Sequence, residues 1–259
     1  GVQVTLQPEV LRSVVIPALG ADGKLAKVSV GTTACLESTR AQGGKTSFLS
    51  RLARSNSVTR EYNFRTLEFT GCKPRPVRSA RDLLNWAVAD IHNRPVHTSS
   101  IRVHAVAEPG KARTITVAPY SYQVLMGVFA HVFQPTLRSK HVRSGLKADR
   151  HLWRFLRETL NPQNTAWADL DQGSQVYALS TDLSQATDWG VRNVARQIWR
   201  ALIECADSPE FPLGLAVLAM TKYTGRRYIF LPDGFNNFEL IISQRGWFMG
   251  DMMTKVILT

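Results

Sequence analysis

Apolar and polar positions change over along this chain in short blocks, with no internal repeat, heptad run or low-complexity tract, and each block predicts its own element. Ser79–Asn93 opens on a helix-capping Ser and stops before Pro95, which predicts a helix. Pro119–Phe133 and Lys147–Leu160 also read as helices, and between Trp189 and Cys205 apolar residues recur at helical spacing (Val191, Val194, Ala195, Ile198, Leu202). Strand signals are as clear. Leu25–Cys35 is β-branched and follows a Gly turn, and Val176–Asp182 is a short apolar run. Ile101–Val106 and Ala112–Val117 alternate on either side of Glu108-Pro109-Gly110-Lys111, a hairpin signature. Tyr228–Leu231 and Phe238–Ser243, joined through Pro232-Asp233-Gly234, predict a second hairpin. A polar linker, Asn161–Ser174, separates the two halves, and Val256–Leu258 opens a last apolar element, expected to be a helix.

Composition narrows the class. A chain of 259 residues with 44% apolar content can bury one large core or two subdomains. No stretch of about 18 consecutive apolar residues occurs, so no membrane span is expected. No targeting signal is legible, and the Gly1 start and Thr259 end lead us to expect part of a longer polypeptide. Cys35, Cys72 and Cys205 stand far apart without zinc-finger spacing, which predicts buried reduced thiols. His92, His97 and His104 follow no ligand spacing either.

The net charge of +12 is unevenly shared. Residues 1–160 hold 24 Lys and Arg against 10 Asp and Glu, whereas residues 161–259 hold 8 against 10. A basic half beside a slightly acidic one suits a protein that grips a polyanion with one part and uses carboxylates in the other. A generic basic surface is the plainer alternative.

The most specific chemistry lies in Ala178–Asp188. An acid at the end of a buried strand needs a partner, and a divalent cation is the usual one. A second acid six residues on, past a turn of small residues, can face the same cleft. Asp182 and Asp188 can equally be a strand-end turn residue and a helix N-cap, on spacing alone.

Ser180–Gly190, reading STDLSQATDWG, resembles motif A of the RNA-dependent RNA polymerases of narnaviruses, mitoviruses, ourmia-like viruses and the RNA phages. The resemblance implies that Asp182 is the catalytic metal ligand, for Mg²⁺ or Mn²⁺, and that Asp188 reads the ribose 2′-hydroxyl. Glu108–Val117 is similar to motif F of that family, the fingertip hairpin, in which Lys111 and Arg113 meet the incoming triphosphate. Arg245–Lys255, RGWFMGDMMTK, is similar to motif B, which implies template contacts at Gly246, Met249 and Gly250 and a nucleotide contact at Thr254. Leu258 stands where some relatives place an Asn, so that ribose contact is not carried over. Glu37–Lys45 resembles an upstream R-x-x-G-G segment that guides template, which implies roles for Arg40, Gly43, Gly44 and Lys45. Gly44-Lys45-Thr46 also ends like a phosphate-binding loop, though Thr39 replaces its opening Gly, and a plain surface loop is the third possibility.

The resemblance spans about residues 30–259, and motif C, the Gly-Asp-Asp turn that supplies the second catalytic carboxylate, occurs nowhere in the sequence. It implies an α+β right-hand polymerase: fingers over 1–172, then an incomplete palm over 173–259 with a small antiparallel sheet and flanking helices. Its partners would be template and nascent RNA, nucleoside triphosphates and a source of motif C, either further residues or a second subunit. The setting implied is the host cytoplasm, or the mitochondrion for a mitovirus-like protein. A non-catalytic RNA-binding subunit and a P-loop-like nucleotide hydrolase are the rival functions.

Overall fold

The computed structural model describes residues 32–55, 58–73, 77–133, 190–206, 209, 211–232, 238–248 and 251–258. The calls on Lys147–Leu160, Asn161–Ser174 and Val176–Asp182 lie outside these residues. Among the described residues the fold is α+β, with seven α-helices and two sheets. In chain order the elements are α1 (Gly44–Arg54), β1 (Thr59–Tyr62), β2 (Phe69–Lys73), α2 (Ala80–Asn93), α3 (Pro95–Ser99), β3 (Ser100–Glu108) and β4 (Lys111–Val117). There follow α4 (Tyr120–Phe133), α5 (Arg192–Ala206), α6 (Leu213–Thr224), β5 (Tyr228–Pro232), β6 (Phe238–Ile242) and α7 (Met252–Leu258). No helix among them is long and apolar enough to cross a membrane.

Helix α2 forms where its sequence dictates. The Ser79 hydroxyl accepts from the Asp82 amide at 3.1 Å, and the Asp82 carboxylate accepts from the amides of Ser79 (3.0 Å) and Arg78 (3.2 Å). Two otherwise orphaned helix-start donors are satisfied this way. Leu83, Leu84, Ala87, Val88 and Ile91 then form one buried stripe, and Pro95 ends α2 and begins α3.

Helix α4 is the centre of the core. Twelve of its 14 residues are buried, from Tyr120 to Phe133, so it has almost no polar face. Trp199 from α5 lies edge-on to Phe129 and Phe133, with centroids at 5.6 and 6.0 Å. The buried stripe of α5 is therefore Ala195, Trp199, Leu202, Ile203 and Ala206. Val191 and Val194, expected on that face, are exposed because the helix turns Trp199 inward.

Both predicted hairpins form, and they join. The larger sheet runs β4-β3-β5-β6, with β3–β4 and β5–β6 antiparallel and β3 parallel to β5. The expected all-antiparallel sheet is thus a mixed one, because α4, α5 and α6 intervene between β3 and β5 and supply the crossover that a parallel pair needs. This sheet takes one hairpin from each side of residue 172, and the buried core likewise includes residues from both sides. The expected strand over Leu25–Cys35 fails at its described end. Thr32–Cys35 carries only a bridge from Cys35 to Ser38, closed by Cys35 N–H to Ser38 C=O (3.0 Å) and the reverse bond (3.2 Å), which turns the chain into a 3₁₀ turn at Arg40–Gln42.

Candidate functional site

Three of the four segments singled out by sequence meet around α4. The first is Glu37–Lys45, taken with the Thr33–Leu36 stretch that leads into it. The Leu36 amide donates to the Ala118 carbonyl (3.1 Å), just past the end of β4. Gln123 donates its side-chain amide to the carbonyls of Ala34 (3.3 Å) and Ala118 (2.7 Å). The Glu37 carboxylate accepts from the Tyr120 amide, at 2.9 and 3.2 Å, and so caps the positive end of α4. It also lies 3.2 Å from Nε2 of His97.

Within that segment Arg40 sits in the 3₁₀ turn, and Gly43 follows in the left-handed region with φ 90°. The donors that a phosphate-binding loop would present are already used. The Gly44 amide donates to Thr39 C=O (2.8 Å) and the Lys45 amide to Thr33 C=O (3.1 Å). The Lys45 side chain is buried at 7% exposure, and burial lowers its pKa. Neighbouring Cys35 and Tyr120 are pushed up by burial to about 11 and about 12, respectively.

The second segment is the β3–β4 hairpin. Its register sets Arg113 opposite Val106 and Lys111 opposite Glu108, around a turn in which Gly110 takes φ 77°. β4 runs within three residues into α4, so the hairpin is anchored by the most buried helix in the structure.

The third is Arg245–Lys255, with Met249 and Gly250 outside the described residues. Gly246 takes φ 91° and donates its amide to Gly190 C=O at 3.0 Å. A side chain at Gly190 would meet the Trp247 ring at 2.4 Å, so the close approach of these two strands of chain requires Gly there. Past the loop the chain is pinned by buried polar groups. Thr254 donates its hydroxyl to Phe248 C=O at 2.8 Å, which leaves Tyr223 to donate to Thr254 Oγ1 at 3.0 Å. Asp251 accepts from the Tyr122 hydroxyl at 2.7 Å, and Nη1 of Arg227 stands 3.7 Å from the same oxygen.

Arg227 is the unexpected member. Its side chain is 1% exposed, its Cζ lies 3.8 Å from the centroid of the Tyr122 ring, and its Nε donates to Ser99 C=O at 3.1 Å. Nη1 and Nη2 are buried without a hydrogen bond. The cation is therefore balanced by one carboxylate beyond hydrogen-bond distance and by a ring face. Burial raises the Asp251 pKa, while Arg227 and the Tyr122 hydroxyl pull it partly back. Tyr122 and Tyr223 are both raised, chiefly by burial.

Sequence reasoning singled out Thr254 and Gly246 but missed Tyr122, Tyr223, Arg227 and Glu37. The sequence does show Gly250-Asp251, an acid that a motif search notices as a lone Gly-Asp. In the fold that acid faces Tyr122 and Arg227 and is committed to structure. Asp182 and Asp188 lie outside the described residues, and among the described residues no three His, Cys, Asp or Glu side chains gather in a metal-binding cluster.

No protein-family profile and no curated protein sequence matches the chain. The likeness to polymerases rests on the quoted motifs alone.

Proposed function

We propose that this chain is the fingers and part of the palm of a viral RNA-dependent RNA polymerase, which carries motifs F, A and B and takes motif C from elsewhere. One observation carries it: the motifs occur in the family's order, and the two with described backbone converge on one helix. Motif F runs into the N-terminus of α4, and Tyr122 on α4 holds Asp251 at the start of the motif B helix α7. The upstream R-x-x-G-G segment docks on that same N-terminus through Glu37. In a polymerase these three segments serve one nucleotide and one template, so a shared anchor is what the function asks for.

In this assignment Lys111 and Arg113 neutralise the triphosphate, and Asp188 tests the ribose 2′-hydroxyl. The loop at Gly246–Gly250 adapts to the template. Asp182 holds the divalent cation, a hard-oxygen ligand for a hard ion, which when bound supplies Lewis-acid stabilisation of the transferred phosphoryl group. The chain alone is then inactive, since the two-metal geometry needs the carboxylates of motif C.

The test is nucleotide incorporation on an RNA template by the chain supplemented with a motif C-bearing partner or extension. Asp182→Asn abolishes synthesis without lowering the melting temperature. Asp188→Asn retains synthesis but discriminates less between ribo- and deoxyribonucleotides. Full activity in Asp182→Asn overturns the assignment. RNA binding without synthesis in every reconstitution points instead to a non-catalytic RNA-binding subunit.

A further inference from the structure

The half of the chain after residue 160 holds fewer cations than carboxylates, yet it gathers several of its cations in one place. Of the 8 Lys and Arg over residues 161–259, three recur every fourth residue along α5, at Arg192, Arg196 and Arg200. Residues four apart on a helix stand one above the next, so these three share one side of α5, beside the buried stripe that includes Trp199. Arg200 is exposed, and Arg192 and Arg196 are half-buried. Arg226 extends the row past the start of the helix. Nη2 of Arg192 donates to the Ser243 carbonyl (2.8 Å) and hydroxyl (2.6 Å), and the Ser243 amide donates to Arg227 C=O (2.9 Å). Exposed Arg226 is the next residue back.

Such a row costs stability. Like charges four apart on a helix repel one another, and a cation in the first turn opposes a helix dipole whose N-terminal end is already positive. Buried Arg227, next to Arg226 in the chain, adds a guanidinium whose Nη1 and Nη2 lack hydrogen bonds. Burial, then the charges of Arg226 and Arg227, lowers the pKa of Arg192. Among the described residues no carboxylate forms an ion pair with Arg192, Arg196, Arg200 or Arg226. Exposed Glu204 stands one turn past Arg200 and leaves it unpaired. Packing gives no reason to concentrate positive charge here, whereas an anionic ligand does.

Spacing and neighbours decide which anion. Four residues of helix rise about 6 Å, close to the step between successive phosphates of a nucleic-acid strand, and a guanidinium holds a phosphate through two parallel bonds. The exposed residues beside the row, Asn193 and Gln197, are polar and can donate to phosphate oxygens as well. A protein partner would need an apolar or aromatic anchor among them, and this side of α5 offers none. We infer that the Arg192, Arg196 and Arg200 side of α5, continued by Arg226, is a track for the phosphate backbone of RNA, held without regard to base. Its residues are separate from those assigned to the motifs, and it stands whether or not the chain is a polymerase.

The experiment uses the full chain, without Mg²⁺ or nucleotides, and fluorescein-labelled uridine and adenosine oligomers read by anisotropy across a salt series. Arg196→Ala, Arg200→Ala and Arg226→Ala should each lower the slope of log affinity against log salt by about 0.7, the share of one phosphate on a single strand. The fall should be the same for both oligomers. Arg200→Lys keeps the charge and should keep the slope, and Glu204→Gln removes a repelling carboxylate and should tighten binding. Arg192 is left in place because it also fixes Ser243. The falls should persist in a Lys111→Ala, Arg113→Ala background, which separates this track from the fingertip hairpin and from the polymerase assignment. Phenylglyoxal labelling of the parent chain, mapped by mass spectrometry, does not depend on any variant folding, and RNA should slow it at Arg196, Arg200 and Arg226. A parental slope in a folded Arg196→Ala, Arg200→Ala, Arg226→Ala triple variant overturns the proposal. So does RNA protection confined to other arginines. Protection of these three by polyglutamate and not by RNA would also overturn it, in favour of a protein contact.

Discussion

Removing the charge of Asp251 should expose how much the Arg227 site depends on it. At 3.7 Å and an effective dielectric constant of about 20, the gross attraction between Nη1 and the carboxylate is about 4 kcal/mol. Both side chains are almost wholly buried, at 1% and 3% exposure, so desolvation offsets much of that in the parent protein. Asp251→Asn keeps an acceptor for the Tyr122 hydroxyl and removes only the charge. It leaves a buried guanidinium with two nitrogens lacking hydrogen bonds and no counter-charge at Asp251. The expected cost is about 3–5 kcal/mol, or a melting temperature lower by roughly 10 °C for a chain of this size. Arg227→Met tests the other partner, and its signature is pH. Asp251 has a folded-state pKa above its ordinary 3.8, so its contribution is present below that value and lost as pH rises through the folded pKa. Without Arg227 the folded pKa is higher still. The deficit of Arg227→Met relative to the parent should therefore shrink on going from about pH 7 to about pH 5, as the buried carboxyl takes up a proton. The double variant Arg227→Met, Asp251→Asn should recover part of the loss, because no lone charge stays buried. Chemical denaturation of all four proteins at both pH values measures this. A cost below about 1 kcal/mol for Asp251→Asn, or a pH-independent deficit in Arg227→Met, would refute the reasoning.

Three other outcomes follow from the same structure. Tyr223→Phe loses one neutral hydrogen bond and should cost about 1 kcal/mol, whereas Thr254→Val loses the bonds to both Tyr223 and Phe248 and should cost more, about 1–3 kcal/mol by denaturant unfolding. Gly44→Ala puts a Cβ 2.4 Å from Thr32 C=O and 2.5 Å from Thr33 C=O at φ 58°, and should lower stability by about 3 kcal/mol. Gly110→Ala, with nothing within 4 Å of the added carbon, should cost only the left-handed strain of about 1 kcal/mol. Timed alkylation with mass spectrometry should label exposed Cys72 first and leave Cys35 unmodified in the folded state, since burial holds its thiol protonated near pH 8 with a pKa of about 11.

What the sequence made legible was local. Both hairpins and α2 follow from alternation, turn residues and a capping Ser, all within about 15 residues of one another. The pairing of β3 with β5 spans more than a hundred residues, and no local pattern encodes it. Helix α6 (Leu213–Thr224) was missed because Leu-Gly-Leu-Ala-Val-Leu-Ala-Met is apolar without a polar stripe, and Pro212 offers no side-chain cap. Helix α1 hid behind the Gly-Lys-Thr motif: Gly43 is the left-handed cap of a 3₁₀ turn, and Gly44 is the place where two carbonyls come too close for a side chain. Arg226 and Arg227 are adjacent and chemically identical, yet one is exposed and the other buried. Their difference comes from Ser99, Tyr122 and Asp251, three residues from distant parts of the chain, so sequence alone could not have separated them.

The placement of these groups along α4 has a mechanical consequence. Tyr120 receives Glu37 through its amide, and Tyr122, two residues on, reaches Asp251 through its hydroxyl. β4 leads into the same end of the helix through Val117–Pro119. A displacement of α4 along its axis would therefore strain the Glu37 segment and the start of α7 together, and would pull on the hairpin that carries Lys111 and Arg113. Gly246 is held at Gly190 and Asp251 at Tyr122, Trp247 packs against Gly190, and the Phe248 carbonyl accepts from Thr254, so the described residues at both ends of the motif B segment are anchored. In the polymerase proposed here, that arrangement keeps the nucleotide-facing hairpin and the template-facing helix in fixed relation.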